Sequence, residues 1–358
     1  MKHRIFIILI FIAFISIFTF IALNNISKNT NLKKLGEAII PEKEEKNPLM
    51  IDEMRAKSYA GSDLTIEQEL GLSSNYKKYI ASYKSDGLKI YGLLTVPQEA
   101  KPGKGYPAII FNHGYIPPEQ YKTIEKYADY VDGFASNGYV VFKPDYRGHG
   151  DSEGKPEGGY FSPAYTSDVL NALASIKKLK DPSVVSSQLS IVDPNKIGMW
   201  GHSLGGHLTL RAMVISKDIR AGVIWGGVVG TYQEIFDEWW NRRVGPTFTP
   251  SQRERQANRP TRQSFIEKFG EPADSNEFWK SISPNFYLES ISGPVQLHHG
   301  TSDETVPYVL SEKLYNRLKA IDKEVEYYTY EGADHNISSP AFELAIERSI
   351  EFFDKYLK

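Results

Sequence analysis

The chain has 358 residues, 41% hydrophobic and 24% charged, with 42 Lys+Arg against 44 Asp+Glu for a formal net charge of −2. This average globular composition excludes a disordered chain, a collagen-like chain and a polytopic membrane protein, and the near-zero charge gives no whole-molecule ground for nucleic-acid binding. Cysteine is absent, which excludes disulfides, cysteine-ligated zinc, iron–sulfur clusters, a lipid-modified cysteine anchor and a cysteine nucleophile together.

Lys2 and Arg4 form a basic flank (residues 1–4) ahead of Ile5 to Leu23, 19 residues without a charge. As a helix this run spans about 28 Å, close to the ~30 Å hydrocarbon core of a bilayer. It is longer than a secretory apolar core and no A-x-A pattern follows it, so an uncleaved transmembrane signal anchor is expected over residues 5–23. The membrane is then a partner through this helix and the body of the chain lies outside the cytoplasm; a cleaved leader would make the chain secreted instead. Lys28, Lys33 and Lys34 after the span nearly balance Lys2 and Arg4, so the positive-inside count does not fix the orientation. Residues 24–75 read as a polar tether, rich in Asn, Lys and Glu, followed by a short appendage with one weak helix.

From Tyr76 the pattern changes. Lys78–Lys84 and Leu88–Val96 are β-rich runs, and Ser85-Asp86-Gly87 between them signals a hairpin turn. Short apolar runs then alternate with helical stretches. Strands are predicted at Ala108–Phe111, Tyr139–Lys143, Ile197–Trp200, Ala221–Trp225, Val295–His298 and Val325–Tyr330. Helices are predicted at Ile124–Ala135, Thr166–Lys178, Leu204–Ile215, Val309–Ala320 and Ala341–Leu357. An opening hairpin followed by alternating β and α units indicates an α/β domain over 76–358, with a mostly parallel sheet and helices on both faces. Residues 231–290 lack a strand-like run and read as an inserted helical cap.

Within Ile197-Gly-Met-Trp-Gly-His-Ser-Leu-Gly-Gly206, Gly201, Ser203 and Gly205 make G-x-S-x-G between a strand and a helix. Flanking glycines let the strand turn sharply, which exposes the Ser203 hydroxyl at the N-terminus of the next helix. A serine nucleophile needs a base, and the base needs an orienting acid. Asp303 ends the loop after Val295–His298, and His335 lies in the loop after Val325–Tyr330. The order Ser203, Asp303, His335 places each just past a strand's C-terminal end, where open α/β sheets gather their ligands. Glu304 is a rival for the acid. Asp334 reads as a loop brace, and His298, His299 and His207 read as packing or supporting groups. His202 is the variable position of the serine turn. No metal-ligand spacing appears.

The oxyanion of a tetrahedral intermediate needs two donors. The N–H of Leu204 is one candidate; the N–H of Tyr115, in Phe111-Asn-His-Gly-Tyr115, is the other. Asp145-Tyr-Arg-Gly-His-Gly-Asp-Ser152 reads as a structural loop in which Arg147 and Asp145 tie down the floor beneath Ser203.

Taken together, the motifs H-G-Y, D-Y-R-G-H-G, G-H-S-L-G-G, H-G-T-S-D-E-T-V-P and G-A-D-H resemble α/β-hydrolases of the prolyl oligopeptidase family over about residues 76–357. The resemblance implies the α/β-hydrolase fold and a cofactor-free serine hydrolase with nucleophile Ser203, acid Asp303 and base His335. It implies a peptidase acting on an ester or peptide bond of a small-molecule substrate. The chain departs from the family in having room for no β-propeller between residues 24 and 75, and in showing no counterpart of the acidic pair that holds a substrate amino terminus. Carboxylesterase and acyltransferase activities are the alternatives. Retention of all three triad residues argues against a non-catalytic binding protein. Dienelactone hydrolases share the fold but use cysteine.

In the cap, Trp239 and Trp240 either line a substrate pocket or form the cap's own core. Six arginines (242, 243, 253, 255, 259, 262) and Glu254 give 6 − 1 = +5 over residues 242–262. They read either as a solvated helix face or, through Arg242 and Arg243, as a carboxylate-binding element. Oligomeric state is not legible.

Overall fold

The computed structural model describes residues 46–182, 190–240 and 259–358. The expected membrane span at 5–23 and Arg242 and Arg243 lie outside the described residues. Among the described residues, no helix is long and apolar enough to cross a membrane. Residues 47–358 form one compact unit.

The centre of that unit is a sheet of nine strands: β1 (Thr65–Leu72), β2 (Tyr76–Ser85), β3 (Leu88–Pro97), β4 (Tyr106–Asn112), β5 (Val140–Pro144), β6 (Val192–His202), β7 (Ala221–Trp225), β8 (Val295–Gly300) and β9 (Val325–Tyr330). Their order is β1-β2-β3-β5-β4-β6-β7-β8-β9. The first four in that order pair antiparallel, and every pairing from β5 onward is parallel. The β2–β3 turn has Asp86 at φ 50° and Gly87 at φ 84°. Two consecutive left-handed residues match the right-handed twist of the hairpin, which is why Asp-Gly stands there.

Strand β1 was not anticipated. Its sequence TIEQELGL carries three acidic or amide side chains in a row and has no apolar alternation. It persists because β2 offers a row of backbone donors and acceptors at the sheet edge, and two register shifts bend it along that edge. Ser82 donates to Glu67 at 2.6 Å, tying the strand down.

Side chains alternate across the parallel strands and divide the core in two. Ile109, Phe111, Val141, Trp200, Val223 and Trp225 face helices α2 (Ala128–Ala135) and α9 (Ala341–Leu357), through Phe134 and Phe353. Ile110, Phe142, Met199, Ile224 and Leu297 face the other side, with α3 (Ala164–Ile176), α4 (Leu204–Ile215) and α8 (Val309–Ala320). Ahead of the sheet, α1 (Ile51–Ala56) packs on α4. The Arg55 guanidinium donates to the Val214 carbonyl from Nη2 at 2.7 Å and from Nε at 3.0 Å. A cation is thus set on a carbonyl in the last turn of a helix, where carbonyls lack intrahelical partners.

Helix α2 starts four residues later than its apolar pattern predicts. Tyr127 has φ 62° and ψ 26°, a left-handed conformation that stops helical propagation. The Asp145–Arg147 expectation also needs correction. Arg147 donates to Asp168 at 2.7 Å and to Asp86 at 2.9 Å, so it joins α3 to the β2–β3 turn. Asp145 instead accepts from the Tyr121 hydroxyl at 2.7 Å and from Thr123 Oγ1 at 2.5 Å.

The described part of 231–290 is helical. A capping box between Thr231 and Glu234 opens α5 (Tyr232–Ile235), which widens into a π turn at Phe236–Trp240. Helices α6 (Arg259–Phe269) and α7 (Glu277–Ile282) follow. Trp239 and Trp240 are 1% and 6% exposed and pack on Tyr160 and, for Trp240, Phe161. They therefore form core, as one of the two sequence readings had it. Arg262 stands 5.7 Å from the Trp240 ring centroid, a cation–π contact.

Candidate active site

Strand β6 delivers Ser203 at the head of α4 with φ 56° and ψ −117°. This conformation is costly for a non-glycine residue and is held by its surroundings. Ser203 N–H donates to the Trp225 carbonyl at 3.0 Å, and the Ser203 carbonyl accepts from Gly206 at 3.0 Å and Val228 at 3.2 Å. The turn closes only because its flanks lack side chains. A Cβ on Gly205 would fall on the Asn112 carbonyl, and one on Gly201 would fall on the Gly205 carbonyl. Both obstacles are backbone and cannot swing aside. Gly205→Ala is therefore expected to destabilise the protein by about 3 kcal/mol or more, through backbone overpacking. Urea unfolding measures this; a midpoint equal to that of the parent would refute it.

Strand β8 ends at Gly300 and hands the chain to Asp303, which is 7% exposed. Its Oδ1 accepts from the N–H groups of Thr305 and Val306, both at 2.8 Å. Its Oδ2 lies 2.7 Å from His335 Nδ1 and 3.0 Å from His299 Nε2. Burial alone would raise this carboxyl's pKa, but the bonds from His299 and His335 outweigh it and hold the group below the usual carboxylate range. Glu304, the rival acid, is exposed. Trp239 donates from its indole to the Thr305 carbonyl at 2.6 Å, so the buried cap aromatic steadies the loop that carries Asp303.

His335 sits in the loop after β9, and Asp334 braces that loop by accepting from Ser338 N and Oγ, both at 2.9 Å. Gly226, at φ 51°, passes so close that a Cβ there would meet His335 Nδ1 at 3.2 Å. His298 stays apart, between the Tyr330 hydroxyl at 2.7 Å and Gln296 Oε1 at 2.6 Å. His207 is fully buried on α4, with Nδ1 3.2 Å from the Val228 carbonyl.

Ser203 and His335 border one cleft of about 630 Å³, together with Tyr115, Ile116, Gln120, Lys126, Tyr127 and Tyr130. The loop after β4 thus lies beside the nucleophile candidate, as expected for Tyr115. Leu204 opens α4 directly behind Ser203 and is buried. Trp239 and Trp240 are absent from the described lining.

The sequence reading passed over two residues at the cleft. Tyr127 read as an ordinary helix residue and His202 as a variable position. His202 is 2% exposed, with Nδ1 2.7 Å from the Tyr127 hydroxyl and Nε2 2.9 Å from the His335 carbonyl. Burial, with the nearby His335, pushes its pKa down to about 3, so its ring is neutral. No sequence signal marked either residue, since no local pattern announces the left-handed backbone of Tyr127.

A mostly parallel sheet with a strained serine turn after β6 and an acid–histidine pair after β8 and β9 defines an α/β-hydrolase of the prolyl oligopeptidase-like kind. Residues 94–318 match the BD-FAE family, and the chain belongs to that family. It is 28% identical over 270 residues to "Uncharacterized peptidase YtmA" of Bacillus subtilis (strain 168), covering 74% of this chain and 88% of that protein. It is 26% identical over 266 residues to "Dipeptidyl peptidase 8" of Mus musculus, but that match spans 73% of this chain and only 26% of the relative. An acetyl xylan esterase from Paenibacillus sp. R4 superposes with a TM-score of 0.60 at 19% identity, covering 87% of this chain and 96% of that one, which shows the shared fold. The protein is a hydrolase of the serine peptidase or esterase type.

Proposed function

We propose that Ser203, His335 and Asp303 form a catalytic triad and that the protein hydrolyses carboxylic esters through an acyl-enzyme. The 2.7 Å contact between His335 Nδ1 and Asp303 Oδ2, with His335 and Ser203 bordering the same cleft, carries this reading. Asp303 accepts from Nδ1–H, which leaves the Nε2 lone pair to take the Ser203 proton as Oγ attacks the carbonyl carbon. The N–H groups of Leu204 and Tyr115 stabilise the oxyanion. The imidazolium then protonates the departing alkoxide. Water, deprotonated by the same ring, releases the acid and restores Ser203.

The cleft supports esters over peptides with a free amino terminus. Its described lining carries Lys126 and no carboxylate, so an ammonium group would meet no countercharge there. Hydrolysis of N-blocked peptides is the second reading, supported by the likeness to a protein named a peptidase. Both are tested on one panel of p-nitrophenyl acetate, p-nitrophenyl butyrate, an N-blocked peptidyl nitroanilide and a free dipeptidyl nitroanilide. Ester turnover is expected at least about 100-fold above that of the free dipeptide. Preference for the free dipeptide would overturn the ester reading, and preference for the blocked peptide would favour the second.

A further inference from the structure

We propose that Tyr127 and His202 form a strap of two side chains that fixes the oxyanion loop against the loop of the catalytic base; this rests on the triad reading above. The strap is continuous. Gly114 N–H donates to the Tyr127 hydroxyl at 2.9 Å, that hydroxyl lies 2.7 Å from His202 Nδ1, and His202 Nε2 lies 2.9 Å from the His335 carbonyl. The loops after β4 and β9 are joined through the last residue of β6 within one line of hydrogen bonds.

Every proton in the line is assigned by elementary chemistry. A carbonyl oxygen only accepts, so His202 Nε2 carries the hydrogen that faces His335. A neutral ring then has a lone pair on Nδ1, which accepts from the Tyr127 O–H. The Tyr127 oxygen, having donated, accepts from Gly114. A second proton on His202 would reverse the Tyr127 link, turning Nδ1 from acceptor to donor, and burial keeps that proton away.

The strap reaches the chemistry from two sides. Gly114 directly precedes Tyr115, the expected oxyanion donor, and its own N–H is committed to Tyr127. Fixing one peptide unit aims the next. At the other end the His335 carbonyl is held, and with it the backbone from which the imidazole projects; the His202 and His335 ring centroids are 4.5 Å apart. The fit leaves no slack, since a Cβ on Gly114 would meet Tyr127 Oη at 2.6 Å and Ser203 Cβ at 3.2 Å. The left-handed backbone of Tyr127, which delays the start of α2, sets the residue whose hydroxyl joins this line. Tyr127 and His202 are positioning residues, acting through Tyr115 and His335.

The test is a double-mutant cycle on the full chain with p-nitrophenyl acetate, using Tyr127→Phe, His202→Leu and the pair. Tyr127→Phe keeps the ring and removes the hydroxyl. It is expected to lower kcat by roughly 10–100-fold with KM within about twofold, because misaimed donors and base cost transition-state stabilisation without altering binding. His202→Leu is expected to do the same, and the pair to be no more than about twofold worse than the poorer single variant, since each break alone opens the strap. Full kcat in Tyr127→Phe, a loss confined to KM, or a pair equal to the product of the singles would overturn the proposal. Melting temperatures identify a variant that fails to fold; if His202→Leu does, Tyr127→Phe decides alone. Ser203→Ala separates the two readings: if it retains activity, the triad is wrong, whereas an inactive Ser203→Ala beside a fully active Tyr127→Phe means that only the strap is wrong.

Discussion

Ser203→Ala is expected to lower ester hydrolysis by on the order of 10⁵–10⁶-fold and to abolish labelling by a fluorophosphonate probe. The probe reports the proposed chemistry directly, because Oγ forms a bond to phosphorus and fluoride departs. No other group substitutes for the missing oxygen. The chain has no cysteine, and the described wall of the cleft otherwise offers imidazoles, the hydroxyls of Tyr115, Tyr127, Tyr130 and Thr305, and Lys126, none of them on a strained strand-to-helix turn. The fold is expected to survive. The serine's strained backbone is held by the Trp225 carbonyl and by the Gly206 and Val228 amides, none of which involves the side chain. A melting temperature within about 2 °C of the parent, together with lost labelling, is the expected pair of results. Labelling that persists on the alanine variant would move the nucleophile elsewhere.

Asp303→Asn is expected to lower kcat by about 10⁴-fold. The new amide can still accept from Thr305 and Val306 through its oxygen, so the loop keeps its shape. Its NH₂ then faces His335 Nδ1, which must accept rather than donate, and the ring's proton moves to the side that faces Ser203. The base is present in the wrong tautomer. A loss below tenfold, measured by steady-state kinetics at pH 7.5, would show that Asp303 does not orient the base. The substitution also alters acid stability, with a definite sign. Because the folded pKa of Asp303 is lowered, the unfolded chain binds the proton more readily. Its stabilisation is fully present above the ordinary carboxylate value of about 3.9 and is lost as pH falls through the lower folded value. The variant lacks this part of the acid slope, which urea unfolding between pH 5 and pH 2.5 measures.

Much of the site was legible because its chemistry is tied to strand ends. Gly201 and Gly205 announce the turn around Ser203, and Leu204–Ile215 was bounded correctly since the turn forces the helix to start there. Asp303 and His335 each follow an apolar run whose C-terminal end lies at one edge of the sheet. The strap was illegible for the opposite reason. Its members join residues separated by 13, 75 and 133 positions, so no window of sequence contains it. Arg147 shows the same limit in the core. Its nearest acid in sequence, Asp145, is not its partner, while Asp168 on α3 and Asp86 in a hairpin turn are. Strand β1 was hidden by composition, because an edge strand needs only its neighbour's backbone and not a buried face of its own.

The Arg55 contact changes how α4 is to be regarded mechanically. The helix is a beam clamped at both ends: its head is locked by the strained turn at Ser203, and its tail is gripped by a guanidinium from a helix that precedes the whole sheet. A beam free at its far end would relieve the turn by sliding along its axis, carrying Ser203 away from His335. Two hydrogen bonds to the Val214 carbonyl oppose such a slide. The short stretch around Ile51–Ala56, which reads in sequence as a minor appendage, therefore ties down the tail of the helix that carries Ser203 at its head.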